Sequence, residues 1–110
     1  ANLMIGSNNY DLMEQKIRLI STDNHKEKNK RIKKVADEAK DIEPYLTKAL
    51  SENPNLELAY MKLGNYYYCC QKYPKAIQTY QILINKFPNS PDIETYKNFL
   101  IEIKKALSKQ

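Results

Sequence analysis

The sequence predicts an all-α protein that forms a single domain. The chain has two glycines, and no stretch alternates polar and apolar residues as a β-strand would. Apolar residues instead recur at helical spacing along most of the chain. Prolines and cap-forming residues separate these stretches from one another. A chain of 110 residues is large enough for one modest core, so we expect about five helices in that domain.

The first segment, residues 1–22, predicts a lead-in followed by a short helix. Residues 1–9 are rich in turn formers, which indicates a frayed start. From Tyr10 to Ile20, one apolar stripe contains Tyr10, Met13, Ile17 and Ile20. Leu12 and Leu19 lie on the opposite side of this helix. Because both of its sides are apolar, the helix needs two neighbours.

The second segment, residues 23–53, predicts a long helix that a proline divides. Asn24 and Glu27 have the spacing of a capping box at its start. Its apolar stripe consists of Ile32, Val35, Ala36, Ala39, Ile42, Leu46, Ala49 and Leu50. Pro44 falls inside the stripe, so we expect a kink or a split near residues 41–43.

The third segment, residues 54–90, predicts a helical hairpin. Its first helix, Leu58–Cys70, is apolar almost all round, as expected for a helix that packs on more than one side. Gly64 has no side chain, so a partner helix can approach it closely. Residues 70–72 form the turn. The return helix carries an apolar stripe of Ala76, Ile77, Tyr80, Leu83, Ile84 and Phe87, and it ends at residues 88–91.

The spacing within this hairpin resembles the tetratricopeptide repeat (TPR), a helical hairpin of about 34 residues. The matching residues are Tyr60-x-x-Leu63-Gly64-x-x-Tyr67, Ala76-x-x-x-Tyr80 and Pro88, with tyrosines where the repeat prefers Trp and Phe. The resemblance implies antiparallel hairpins in a short right-handed α-solenoid or helical bundle. Ile42–Leu50 resembles the second helix of a preceding repeat, whose first helix would have to lie within Asp23–Ala36. The motif is absent there, so we interpret the region as half a repeat joined to a divergent helix.

The last segment, residues 91–110, predicts a helix that caps the repeat. Pro91 stands at the usual first helical position, and Asp92 and Glu94 favour the N-terminal end of a helix. The apolar stripe consists of Ile93, Tyr96, Leu100, Ile103 and Leu107, with Ile101 away from it. Repeat arrays usually need about three units to bury a continuous core. The flanking helices, or another chain, must therefore supply the missing neighbours.

The resemblance implies a partner-binding surface on the inner face of the hairpin's first helix. The residues on that face are Leu58, Met61, Lys62, Asn65, Tyr68 and Cys69. Its apolar members suit a hydrophobic helix or an extended segment of another protein, or a second copy of this chain. One TPR subfamily clamps a partner's C-terminal carboxylate here; Asn65 matches that pattern, but Met61 replaces its lysine, so we expect no clamp. Alternatively, the predicted helix Tyr10–Ile20 covers this groove.

The net charge of +5 is concentrated in one run. Residues 25–34 contain six Lys/Arg and one Glu. Lys26, Lys30, Lys33 and Lys34 share a helical face that could attract nucleic acid or an anionic membrane. A lysine face opposite an apolar stripe is also typical of a solvated helix surface. Electrostatic binding is therefore the alternative to a protein-interaction module.

The residue types predict no enzyme, and no cofactor, metal or small-molecule substrate. The single histidine, His25, lies in the charged run without further ligands at metal-binding spacing. Cys69 and Cys70 are adjacent on a helix and cannot form an unstrained mutual disulfide, so we expect reduced thiols. No glycine-rich loop is present to bind a phosphate.

The sequence leaves the cellular compartment open. No apolar run approaches the roughly 20 residues that a membrane span needs, and no signal-peptide pattern is present. We expect a soluble protein of the bacterial cytoplasm or cell envelope. The chain begins with Ala1 rather than Met, which indicates a processed product or a piece of a longer protein. The linker Lys86–Pro91 resembles those of bacterial envelope assembly proteins of the TPR class, which suggests a scaffold outside the cytoplasm.

Overall fold

Six α-helices account for most of the chain in the computed structural model. The structure describes the backbone of residues 2–109 and the side chains from residue 8 to residue 109. The helices are α1 (Asn2–Arg18), α2 (His25–Glu38), α3 (Ile42–Glu52), α4 (Glu57–Cys69), α5 (Tyr73–Lys86) and α6 (Ile93–Ser108). The described backbone contains no strand, so the all-α prediction is confirmed.

Helix α1 begins much earlier than the sequence predicts. It starts at Asn2, so the prediction of a frayed lead-in over residues 1–9 is wrong for the described backbone. The turn residues at positions 6–9 are weak helix formers but not helix breakers, and tertiary packing routinely overrides such preferences. Tyr10 and Met13 are buried, and they anchor α1 in the core. The side chains of residues 1–7 lie outside the described residues.

Helices α2 and α3 are separated where the proline predicts a split. Helix α2 begins after Asn24, whose side-chain oxygen accepts hydrogen bonds from the backbone N–H groups of Lys26 (3.0 Å) and Glu27 (3.2 Å). The Glu27 carboxylate does not complete a capping box, because it pairs with Arg31 at 3.1 Å. Pro44 lies in the first turn of α3, where a missing N–H breaks no helical hydrogen bond.

Helices α4 and α5 form the predicted hairpin. The turn consists of residues 70–72, and the two helices pack along one another. The N–H of Lys72 donates to the carbonyl of Tyr67 (2.8 Å), and the N–H of Gln71 donates to that of Tyr68 (3.0 Å). This pair of bonds is a Schellman motif, which satisfies the last carbonyls of α4. Gln71 has a φ of 60°, the left-handed conformation that this motif requires.

Helix α6 is fixed to the start of α4 by one carboxylate. An oxygen of Glu57 accepts hydrogen bonds from the hydroxyls of Ser90 (2.7 Å) and Tyr96 (2.6 Å). The Ser90 hydroxyl in turn accepts from the N–H of Asp92 (3.1 Å). Helix α6 itself begins at Ile93, two residues later than predicted. Its stripe is only partly buried, since Tyr96 and Ile103 are fully enclosed whereas Leu107 is 37% exposed.

Helix α1, rather than α2, is the main partner of α3. The sequence predicts a half repeat joined to a divergent helix over Asp23–Ala36, and in the structure α3 pairs mainly with α1 instead of with this helix. The physical reason is apolar area: Ala36 is the buried residue of α2, whereas α1 buries the larger Tyr10 and Met13. Helix α2 contacts α1 and α4 less extensively. None of the described helices is long and apolar enough to cross a membrane.

Gly64 allows α4 and α5 to approach closely, as the sequence predicts. A Cβ atom at this position would lie 2.5 Å from Cε2 and 2.7 Å from Cδ2 of the Tyr80 ring. Tyr80 is 2% exposed, and its ring packs against Tyr96 and Phe99, with centroid distances of 6.2 and 5.1 Å. The ring therefore has little room to move away from an added methyl group.

We expect Gly64→Ala to destabilise the protein by up to about 2 kcal/mol. Overpacking a core typically costs about 1–3 kcal/mol, and replacing a helical glycine with alanine returns about 1 kcal/mol. Urea unfolding followed by circular dichroism measures the difference. In a Tyr80→Leu background the ring is gone, so the same substitution should be neutral or stabilising. A Gly64→Ala variant about 1 kcal/mol more stable than the parent would contradict the packing explanation, because it would show the gain in helix propensity alone.

Candidate partner-binding site

The six residues predicted for the inner face all lie on α4, but the structure does not leave them on one open surface. Leu58, at the start of the helix, is 59% exposed. Met61 is half-buried against the core. Lys62 and Asn65 contact α1, and Tyr68 and Cys69 line a cleft near the end of α4. The predicted surface is therefore divided into three parts.

Helix α1 covers the middle of the inner face. The Asn65 side-chain NH₂ donates to the Tyr10 hydroxyl (3.1 Å), and the Tyr80 hydroxyl donates to the Asn65 side-chain oxygen. The Lys62 ammonium lies 3.5 Å from the Asp11 carboxylate and 5.6 Å from the centroid of the Tyr10 ring. The chain's own first helix, α1, thus covers Lys62 and Asn65. Both polar groups are engaged within the protein.

The end of α4 opens into a cleft that α2 and α6 border. We call it the Tyr68 cleft; its volume is about 440 Å³. Its lining consists of Asn29, Ile32, Tyr68, Cys69, Gln71, Tyr73, Glu102, Lys105, Ala106 and Lys109. The Tyr68 ring is held by edge contact with Phe99 and by Tyr73, with centroid distances of 5.2 and 5.7 Å. The lining therefore combines two tyrosine rings and two aliphatic side chains with polar and charged groups.

The two side chains that α4 contributes to the Tyr68 cleft, Tyr68 and Cys69, are uncharged at neutral pH. Burial raises the pKa of the Cys69 thiol to about 11, so the reactive thiolate is scarce at pH 7. Burial, reinforced by the neighbouring Tyr73, also raises the pKa of the Tyr68 phenol. Both side chains therefore present an apolar or hydrogen-bonding surface rather than a nucleophile. Within the described residues, no three His, Cys, Asp or Glu side chains are grouped to hold a metal ion.

The basic residues predicted on α2 are only partly brought together. Lys30, Lys33 and Lys34 line a shallow depression with Asp37, Glu38 and Gln71; we call it the α2 depression. Lys26 is not part of its lining. The Lys33 ammonium lies 2.6 Å from the Asp37 carboxylate, and this hydrogen bond raises the pKa of Lys33. Acidic neighbours therefore offset part of the positive charge that the sequence shows.

Sequence reasoning missed the walls of the Tyr68 cleft. Asn29 and Ile32 come from α2, and Lys105, Ala106 and Lys109 come from α6. Helical spacing assigns each residue to a face of its own helix, but it does not show which helices meet. The left-handed φ of Gln71 has no sequence signal, because the turn at residues 70–72 lacks the glycine that usually ends such a helix.

We expect the protein to lose stability as the pH rises from about 10 to 12. Burial raises the pKa of Tyr10 to about 12, compared with about 10 in an unfolded chain. Burial likewise raises the pKa values of Tyr66, Tyr67, Tyr80 and Tyr96. The folded state favours the protonated phenols. Their contribution to the free energy of unfolding is therefore complete below pH 10, and it is lost as the pH approaches their pKa values in the folded state.

Urea unfolding between pH 8 and 11, under reducing conditions, measures this loss. Tyr10→Phe is the matched variant: it removes one shifted phenol, so its unfolding free energy should decline less steeply with pH. An unfolding free energy that stays constant up to pH 11 would show that these phenols ionise as readily in the fold as in the unfolded chain.

Comparison of the chain with protein-family models, with curated proteins and with solved structures finds no match. The resemblance to the tetratricopeptide repeat thus rests on the residue pattern between Tyr60 and Pro88.

Proposed function

We propose that this chain is a non-catalytic interaction module of the TPR type. In this proposal it binds a segment of another protein, helical or extended, in the Tyr68 cleft. The observation that carries the proposal is the difference between two parts of one helix face. The middle of the α4 inner face is closed by α1, whereas its end remains open between α2 and α6.

The composition of the cleft supports a protein as the partner. Aromatic residues are enriched at the centres of protein interfaces, and polar residues form their rims. The Tyr68 cleft contains both kinds of residue, with Tyr68 and Tyr73 as aromatic side chains and Lys105, Lys109 and Glu102 as charged ones. A helix or an extended segment would place one or two apolar side chains against Tyr68 and Tyr73.

A substitution at Ala106 tests the proposal directly. Ala106 lines the cleft from α6, so Ala106→Arg would fill the cleft with a charged side chain. Gln81→Arg introduces the same side chain at an exposed position on α5 and is the matched control. We expect partner proteins to be retained from the source organism's lysate at high salt by the parent chain and by Gln81→Arg. Ala106→Arg should lose them.

Circular dichroism must first show that both variants keep the helical content of the parent. Retention of the same proteins by Ala106→Arg would place their binding elsewhere and contradict the proposal. Tyr68→Glu is a less suitable variant, because the Tyr68 ring also supports Phe99 and Tyr73.

The second candidate is electrostatic binding of nucleic acid or anionic lipid through α2. The observation that favours it is the grouping of Lys30, Lys33 and Lys34 around one depression. Such binding falls steeply with salt. In the same experiment it would appear as nucleic acid or lipid that washes off at high salt and is insensitive to Ala106→Arg. Charge reversal at Lys30 and Lys34 would abolish it.

A further inference from the structure

Gln71 occupies a backbone conformation that its side chain disfavours. Its φ of 60° lies in the left-handed region, where glycine and asparagine are the usual residues at the end of a helix. Both hydrogen bonds of the Schellman motif are present, so the turn itself requires this conformation. A glycine here would make the same two bonds without strain. The stability of the fold does not account for the glutamine.

The position of Gln71 connects two surfaces. Gln71 is the residue that the linings of the Tyr68 cleft and the α2 depression share. It is partly exposed, and no hydrogen bond within the described part of the chain engages its side-chain amide. An amide carries both a donor and an acceptor, so it matches the N–H and C=O groups of an extended backbone.

The charge around Gln71 favours an acidic ligand. Five lysines and three carboxylates line the two surfaces together: Lys30, Lys33, Lys34, Lys105 and Lys109, with Asp37, Glu38 and Glu102. Lys33 pairs with Asp37 at 2.6 Å, and Lys105 lies 3.6 Å from Glu102. In the described residues, no carboxylate forms an ion pair with Lys30, Lys34 or Lys109. The surface therefore retains positive charge that a partner's carboxylates can complement.

We propose that Gln71 joins the Tyr68 cleft and the α2 depression into one docking surface for an extended, acidic segment of a partner protein. An apolar side chain of that segment enters the Tyr68 cleft, and its carboxylates lie against Lys30 and Lys34. The Gln71 amide exchanges hydrogen bonds with its backbone between these two points. The inference rests on the proposed function, and it adds the chemistry of the partner and a residue that positions it.

The test uses the whole chain and a display library of short random peptides. We expect the selected peptides to combine a large apolar residue with Asp or Glu. Their dissociation constants are then measured by fluorescence polarisation with the parent chain and with Gln71→Gly. The variant should bind about two- to tenfold more weakly, because a lost hydrogen bond reduces affinity by about that factor. Its melting temperature should rise by about 4 °C, since the strain is relieved.

Three further variants complete the comparison. Gln71→Asn keeps an amide and tolerates the left-handed conformation, so it should recover part of the affinity that Gln71→Gly loses. Gln81→Ala removes an exposed amide on α5 and should bind like the parent. Joint charge reversal, Lys30→Glu with Lys34→Glu, should weaken binding of the acidic peptides and reduce its dependence on salt.

The outcomes separate this inference from the proposed function. If Ala106→Arg abolishes peptide binding but Gln71→Gly binds as well as the parent, the role of Gln71 is refuted and the cleft remains the site. Selection of basic or uncharged peptides would refute the acidic partner. If Ala106→Arg weakens binding of none of the selected peptides, both the inference and the proposed function fail.

Discussion

The contact between Gly64 and Tyr80 is the constraint on which the other helices depend. Because Gly64 has no side chain, the Tyr80 ring lies directly against α4. From that position the ring meets Phe99 on α6, and its hydroxyl reaches Asn65. Asn65 then binds Tyr10 of α1. The close approach of α4 and α5 therefore positions α6 through ring packing and α1 through the hydrogen-bonded amide of Asn65.

Scarcity of neighbours explains how the remaining helices are arranged. A single hairpin cannot bury its own apolar faces, so other helices must cover them. Helix α1 supplies most of this cover along α3 and across the middle of α4. Helix α6 covers α5, and the Glu57 carboxylate holds its first turn. The Tyr68 cleft lies at the end of α4, between α2 and α6, and none of the described residues of α1 lines it.

The sequence predicts the elements of this fold better than their arrangement. Pro44 and Asn24 mark helix ends through local chemistry, and both signals hold in the structure. Gly64 likewise marks a close approach, since its meaning depends on the residue itself. The choice of α1 over α2 as the partner of α3 depends on the apolar area that each helix can bury against a distant one. Helical spacing carries no information about that competition.

The candidate site also shows that helical spacing does not predict which residues of a helix face another helix will cover. The resemblance predicts that Tyr68 and Cys69 belong to an inner face, and both residues line the Tyr68 cleft. Lys62 and Asn65 belong to the same face but contact α1, because residues of a different helix decide what stays open. The three parts of the face therefore differ in their neighbours rather than in their helical positions.

The weak attachment of α2 has a consequence for the geometry of the Tyr68 cleft. Helix α2 buries Ala36, which has a small apolar side chain, and its contacts with α1 and α4 are less extensive than those between α4 and α5. A helix that buries few side chains exposes little apolar surface when it detaches locally. We therefore expect α2 to detach at a lower free energy than the other helices that border the cleft. The width of the cleft is therefore set by its least anchored side, which contributes Asn29 and Ile32 to the lining and carries Lys30, Lys33 and Lys34 of the neighbouring α2 depression.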